Sequence, residues 1–177
     1  LDENTLVLFS SDNGTTHLDK EVDYEFFDSV GPLRGLKGSL YEGGIRVPMI
    51  ARWTGKIEPS STTNHLSAFW DVMPTIAEVA GVEPPPGRDG ISFAPTLLGR
   101  ADQQQQHEFL YWEFTGYGGQ QAVRIGNWKA VRQKMLQRNN PDPLKIRPFS
   151  FDPGTRGYYS TGKRLGDAFS IGKALKK

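Results

Sequence analysis

Residues 5–10, TLVLFS, form a short run without a charge, and the chain turns polar immediately after it at Asp12-Asn13-Gly14. A continuous apolar run of this length predicts a strand, and its lack of alternation predicts burial on both faces, as in a parallel sheet flanked by helices. Residues 15–29 are polar. GPLRGLKGSLYEGG, residues 31–44, then carries five glycines in fourteen positions and reads as loop. It leads into a second apolar run, IRVPMIARW at 45–53, which predicts another strand, with Pro48 at its start or on a sheet edge.

From Ser67 the spacing becomes helical. Val72, Met73, Ile76, Ala77, Val79 and Ala80 form an apolar stripe, Asp71 is placed to cap the amino end, and Gly81 stops the other end. Pro74 fits only within the first turn, where its missing N–H is not needed. EPPPGRDG at 83–90 is a rigid connection, SFAPTLLG at 92–99 a short helix at most, and ADQQQQ at 101–106 polar surface. Beyond this the pattern turns antiparallel. FLYWEFT at 109–115 alternates weakly, and AVRIGNWKAV at 122–131 sets Gly126-Asn127 between two strand-like halves, a two-residue hairpin signal.

The order predicts an α/β fold class, with sheet and helix material to about Gly99, a small antiparallel β subdomain over 100–144, and a divergent tail over 145–177. Charge separates the tail from the rest. Residues 145–177 hold eight basic and two acidic residues, leaving thirteen basic against eighteen acidic in residues 1–144, although the whole chain is only +1. The tail lacks the clustered basic residues and paired aromatics of a nucleic-acid motif, so no nucleic-acid partner is expected. No stretch is long and apolar enough for a membrane span, and nothing at the start resembles a signal peptide. The absence of cysteine excludes disulfides, thiolate nucleophiles and cysteine metal sites. Leu1 enters a strand within a few residues and without an initiator Met, as a fragment of a longer protein would.

Asp12-Asn13-Gly14 allows two readings. One is a tight turn. The other is a ligand site beyond a strand's carboxyl end, where a carboxylate beside an amide carbonyl suits a hard cation such as Ca²⁺ or Mg²⁺. Lys37, between Gly35 and Gly38, is either an ordinary surface lysine or a point charge for sulfate or phosphate on a backbone that can approach its ligand closely.

The succession of motifs narrows these choices. SDNG, then GLKG, then EGGIRVP before a strand resembles the sulfatase family of the alkaline-phosphatase-like superfamily. The likeness continues through MIARWTGKI at 49–57, FWDVMPTIAEVAGV at 69–82, DGISFAPTLLG at 89–99 and AVRIGNWKAV at 122–131, covering about residues 1–135. The resemblance implies the carboxyl-terminal portion of a sulfuric ester hydrolase, with a partial alkaline-phosphatase-like sheet and flanking helices over 1–99. It implies that Asp12 and Asn13 are ligands of the active-site cation, usually calcium, and that Lys37 contacts the substrate sulfate as a catalytic, substrate-binding residue. His17 follows the metal motif closely enough to reach the same substrate, or is a solvated loop histidine. The implied partner is a sulfated small molecule or glycan, and the implied location periplasmic or extracellular.

The other conspicuous residues have plainer readings. Glu42 and Arg46 read as a structural pair holding the loop, His65 and His107 have no recognisable partner spacing, and Trp53, Trp70, Trp112 and Trp128 read as core or hairpin packing, with stacking on a sugar or aryl group as the alternative. The family's formylglycine nucleophile, made within a Cys/Ser-x-Pro-x-Arg motif, has no counterpart here, nor do the paired aspartates that complete its metal site. The isolated chain is therefore expected to bind calcium weakly or not at all and to hydrolyse nothing. The tail is basic and Gly-rich where the family is acidic. A phosphoesterase of the same superfamily and a non-catalytic sugar-binding domain remain as rival readings.

Overall fold

The computed structural model describes residues 1–16 and 22–135, with Tyr24 by its backbone alone, and the backbone of two further strands at 147–150 and 159–160. In chain order the elements are β1 (Val7–Ser10), α1 (Tyr24–Phe27), α2 (Glu42–Ile45), β2 (Met49–Arg52), α3 (Val72–Ala80), α4 (Ala94–Leu97), β3 (Leu110–Phe114), β4 (Gln120–Ile125), β5 (Trp128–Gln133), β6 (Arg147–Ser150) and β7 (Tyr159–Ser160). They fall into two units, Leu1–Ser10 with Pro48–Glu108, and Ser11–Val47 with Phe109–Lys177.

In the first unit β1 pairs with β2 from Val7↔Arg52 to Ser10↔Met49, and the pairing is antiparallel. This corrects the expectation of a parallel strand buried on both faces. The apolar run specifies a strand, yet the described partner is a single antiparallel neighbour, so Val7 and Phe9 are 46% and 67% exposed. Asp2 receives both guanidinium nitrogens of Arg52, at 2.7 and 2.9 Å, together with the Thr54 hydroxyl at 2.7 Å. Those hydrogen bonds hold the Asp2 carboxyl below the usual carboxylate range.

Helix α3 follows a 3-10 turn at Phe69–Asp71 and ends at Gly81, whose φ of +70° is open to glycine without strain. Asp71 does not cap α3. Its carboxylate instead accepts the Ala68 N–H at 2.7 Å, closing the 3-10 turn, and the Ile91 N–H at 2.8 Å. The apolar stripe defines the inward face only in part, since its Ala77 is buried beside Pro74 and Thr75 while Met73 and Ile76 are 44% and 52% exposed. Polar satisfaction turns the helix this way. The Thr75 hydroxyl donates to the Asp71 carbonyl at 2.6 Å and accepts the Phe93 N–H at 2.9 Å, tying α3 to the segment entering α4, where Phe93 and Ala94 are buried.

In the second unit β3 to β7 form a five-stranded antiparallel sheet in sequential order, the last two strands coming from beyond residue 144. The predicted hairpin forms at Gly126-Asn127, with φ of +53° at Gly126. Cross-strand register gives one face of this hairpin three successive pairs, Gln120↔Gln133, Ala122↔Val131 and Arg124↔Lys129. The apolar middle pair packs with Leu40 and Tyr41, and Ile45 and Trp112 cover that cluster.

Candidate functional site

The predicted site residues Asp12, Asn13 and Lys37 all belong to the second unit. Past Ser10 the chain bends, and the Ser11 hydroxyl closes the bend on the Asn13 carbonyl at 2.7 Å. Two backbone hydrogen bonds then join this bend to the glycine-rich loop, Gly14 N–H to Gly44 O at 2.9 Å and Lys37 N–H to Thr15 O at 2.8 Å. The contact is close enough that a Cβ on Gly14 would overlap the Gly43 carbonyl oxygen, and one on Gly44 would overlap Ser39 O. Glycine is required there for space. The backbones that carry Asp12-Asn13 and Lys37 thus form one seam, with Asp12 and Lys37 exposed and Asn13 half-buried. His17 lies outside the described residues.

The three hairpin pairs hold the other side of this loop. At one end Gln120, 3% exposed, donates to Gly38 O at 2.7 Å and accepts the Leu40 N–H at 3.3 Å, pinning the backbone on both sides of Ser39. At the other end the buried Glu42 carboxylate, at the start of α2, takes Lys129 Nζ at 2.6 Å on one oxygen and Arg124 at 3.0 Å on the other. Two cations directly opposite across strands repel one another, and Glu42 between them removes that conflict. Burial pulls both the Lys129 and Arg124 pKa values down, and the Glu42 charge opposes the shift. Lys129 Nζ also lies 4.9 Å from the centre of the Trp112 ring.

The carboxylate of Glu42 is therefore engaged by Arg124 and Lys129, 82 and 87 residues away, and the Arg46 backbone N–H donates to Glu42 O at 2.7 Å. Pattern reasoning passed over Lys129 and Gln120, although a signal was present. Alternate residues of a strand share a face, so Lys129 had to lie beside Val131 and Gln120 beside Ala122. His107, which had no recognisable partner by spacing, has one in the first unit, its Nε2 lying 2.9 and 3.0 Å from the two Asp71 oxygens. Of the tryptophans, Trp112 packs on the core and Trp128 is 59% exposed on the hairpin.

Beside Lys37 opens a cavity of about 470 Å³, within the ordinary range for small-ligand sites. Its wall runs along residues 35–39 and continues through Tyr117, Gln120, Gln133 and Lys134.

Comparison with known proteins bears on the family and the fold. Residues 36–137 match the family described as N-sulphoglucosamine sulphohydrolase, C-terminal. Rat steryl-sulfatase is 36% identical over 165 residues, covering 91% of this chain and 27% of the relative. Human arylsulfatase A is 38% identical over 130 residues, covering 72% of this chain and 25% of that protein. The solved structure of BT4656 in complex with its substrate D-glucosamine-2-N,6-O-disulfate superposes with a TM-score of 0.66 at 21% identity, over 98% of this chain and 34% of the other, which establishes a common fold. This chain spans about a quarter of the length of the two named relatives. Its α/β architecture with a small antiparallel sheet is that of the alkaline-phosphatase-like enzymes, and the chain belongs to the sulfatase family, corresponding to its carboxyl-terminal portion.

Proposed function

We propose that the protein containing this chain hydrolyses sulfate esters of a sugar or an aryl alcohol, with Lys37 holding the sulfate and with Asp12 and Asn13 supplying part of a divalent cation site, calcium first and magnesium second. The observation that supports the reading best is the seam: two backbone hydrogen bonds, 2.9 and 2.8 Å long, hold the Asp12-Asn13 bend against the Lys37 loop.

The donor set fits a hard cation in kind and falls short in number. A carboxylate and an amide carbonyl are the right oxygen donors, but calcium takes six or more, and no group of three or more His, Asp or Glu side chains able to hold a metal occurs among the described residues. The remaining ligands and the formylglycine nucleophile belong, in this reading, to sequence outside the chain. When bound, the cation neutralises charge on the sulfuryl oxygens. Lys37 adds an ammonium on the same group, orienting it and offsetting the charge that builds as the ester bond breaks. The apolar faces of Phe9, Ile50, Met73 and Ile76, all at least 44% exposed, support the chain being one portion of a longer folded protein. Family likeness favours a periplasmic or extracellular location, and no described helix is long and apolar enough to cross a membrane.

The test is made in the full-length protein with an aryl sulfate. Lys37→Ala is expected to lower kcat/KM by about 10²–10³-fold, and Asp12→Ala to raise the calcium concentration needed for half-maximal activity. Full activity of Lys37→Ala, or an unshifted calcium titration in Asp12→Ala, removes the corresponding assignment.

A further inference from the structure

Lys37 is exposed, so where its ammonium can reach is decided by the backbone that carries it. That backbone is a tight turn. Ser39 N–H donates to Leu36 O at 3.0 Å, which puts Lys37 and Gly38 at the two corners, and Gly38 has φ of +86°, the sign a type II turn requires at its second corner. On the entering side, Lys37 N–H is held by Thr15 O at 2.8 Å. On the leaving side one side chain serves the main chain: Gly38 O accepts from Gln120 Nε2 at 2.7 Å, and Leu40 N–H donates to Gln120 Oε1 at 3.3 Å. Gln133 Nε2 donates to the same oxygen at 3.4 Å, which fixes which end of the amide faces which partner. Gln120 thus takes the place of a strand neighbour. It is 3% exposed with both ends of its amide engaged, so any effect on substrate passes through the loop it holds.

We propose that Gln120 is a positioning residue for Lys37, its amide locking the Lys37–Gly38 corner and so aiming the ammonium at the sulfate. The proposal rests on the assignment of Lys37 above and deepens it. An amide meets two demands at once, a donor for Gly38 O and an acceptor for the buried Leu40 N–H. Methionine, of similar length, meets neither. Ionised glutamate keeps the acceptor but sets a second oxygen against Gly38 O, whereas a protonated carboxyl group restores the donor. A displacement of about 1 Å at such a corner is enough to slow chemistry many-fold.

The experiment measures hydrolysis of 4-nitrophenyl sulfate by the full-length protein, with folding of each variant checked by circular dichroism. Gln120→Met is expected to lower kcat/KM by about tenfold, chiefly in kcat, because the charge that Lys37 offsets builds only as the ester bond breaks. Combined with Lys37→Ala it should cause no further loss, since a residue that acts only through Lys37 has nothing left to position. Gln120→Glu is the second variant, and its activity relative to wild type should recover as pH is lowered and the carboxyl group takes up its proton. An unchanged kcat in folded Gln120→Met, with Lys37→Ala impaired, overturns the positioning role and leaves the sulfate assignment standing. An equal fold-loss with and without the Lys37 side chain overturns it as well. If Gln120→Met does not fold, a pH-independent ratio of Gln120→Glu to wild type does the same. Full activity of Lys37→Ala overturns both the assignment and the proposal built on it.

Discussion

Two buried carboxylates, Asp71 in the first unit and Glu42 in the second, are satisfied by opposite means. Asp71 collects backbone N–H groups, Ala68 from its own turn and Ile91 from twenty residues on, with His107 as a further partner. Glu42 accepts from two side-chain cations on neighbouring strands. A carboxylate bound to amides fixes the course of loops and needs no counter-charge. One that separates two cations is different, since its loss leaves both of them buried, unpaired and repelling one another. Shape depends on Asp71, and electrostatic balance depends on Glu42.

The sharpest way to break this contrast is to remove the carboxylate. Glu42→Gln leaves Arg124 and Lys129 buried without their shared counter-charge and should cost about 3–5 kcal/mol, the usual penalty for unpairing a buried charge, read as a shift of the urea midpoint of the full-length protein, while replacing Glu42, Arg124 and Lys129 together by apolar residues should restore much of it. A small loss in the single variant would mean that Glu42 is not the hub. Next in size is Asp71→Asn. The amide keeps one acceptor oxygen but turns its NH₂ toward a donor, so a loss of about 1–3 kcal/mol is expected. Equal effects of Asp71→Asn and Asp71→Ala would show that the backbone hydrogen bonds do not matter.

The smallest effect is set by pH and falls on the first unit only. Burial, opposed by the nearby Asp71 charge and a hydrogen bond to Gln106, pulls the His65 pKa below its ordinary 6.5. As pH falls past 6.5 the unfolded chain takes up the proton first, so the stability His65 contributes is complete above 6.5 and is lost as pH falls toward the folded value. Lys129 is also depressed, by burial, but it belongs to the second unit. The urea midpoint of the first unit's transition should therefore drop between pH 7 and pH 5, and His65→Asn should flatten the drop. An identical slope in the variant would assign the sensitivity to another group.

Local signals were readable in the sequence, and distant ones were not. The Gly126-Asn127 hairpin, the stop at Gly81 and the short helix at Ala94–Leu97 each depend on neighbours within a few residues, and each forms where the pattern placed it. Asp71 misled because a carboxylate ahead of an apolar stripe has the same local appearance whether it caps that helix or reaches back to Ala68 and across to Ile91. The partners of Glu42 and His107 lie 87 and 36 residues away, beyond any spacing rule. The direction of β1 was hidden for a related reason: an apolar run specifies a strand but carries no record of which strand will pair with it or which way that strand runs. In the candidate site, the order of SDNG and GLKG named the residues, while the seam joining their backbones could be seen only in three dimensions.

That seam carries a genetic consequence. Gly14 faces the Gly43 carbonyl oxygen with no room for a methyl group, and every missense change at a glycine codon introduces at least one carbon at that position. Alleles altered at Gly14 should therefore resemble one another whichever residue they encode, because the injury comes from the first atom added and the chemistry of the remainder hardly enters.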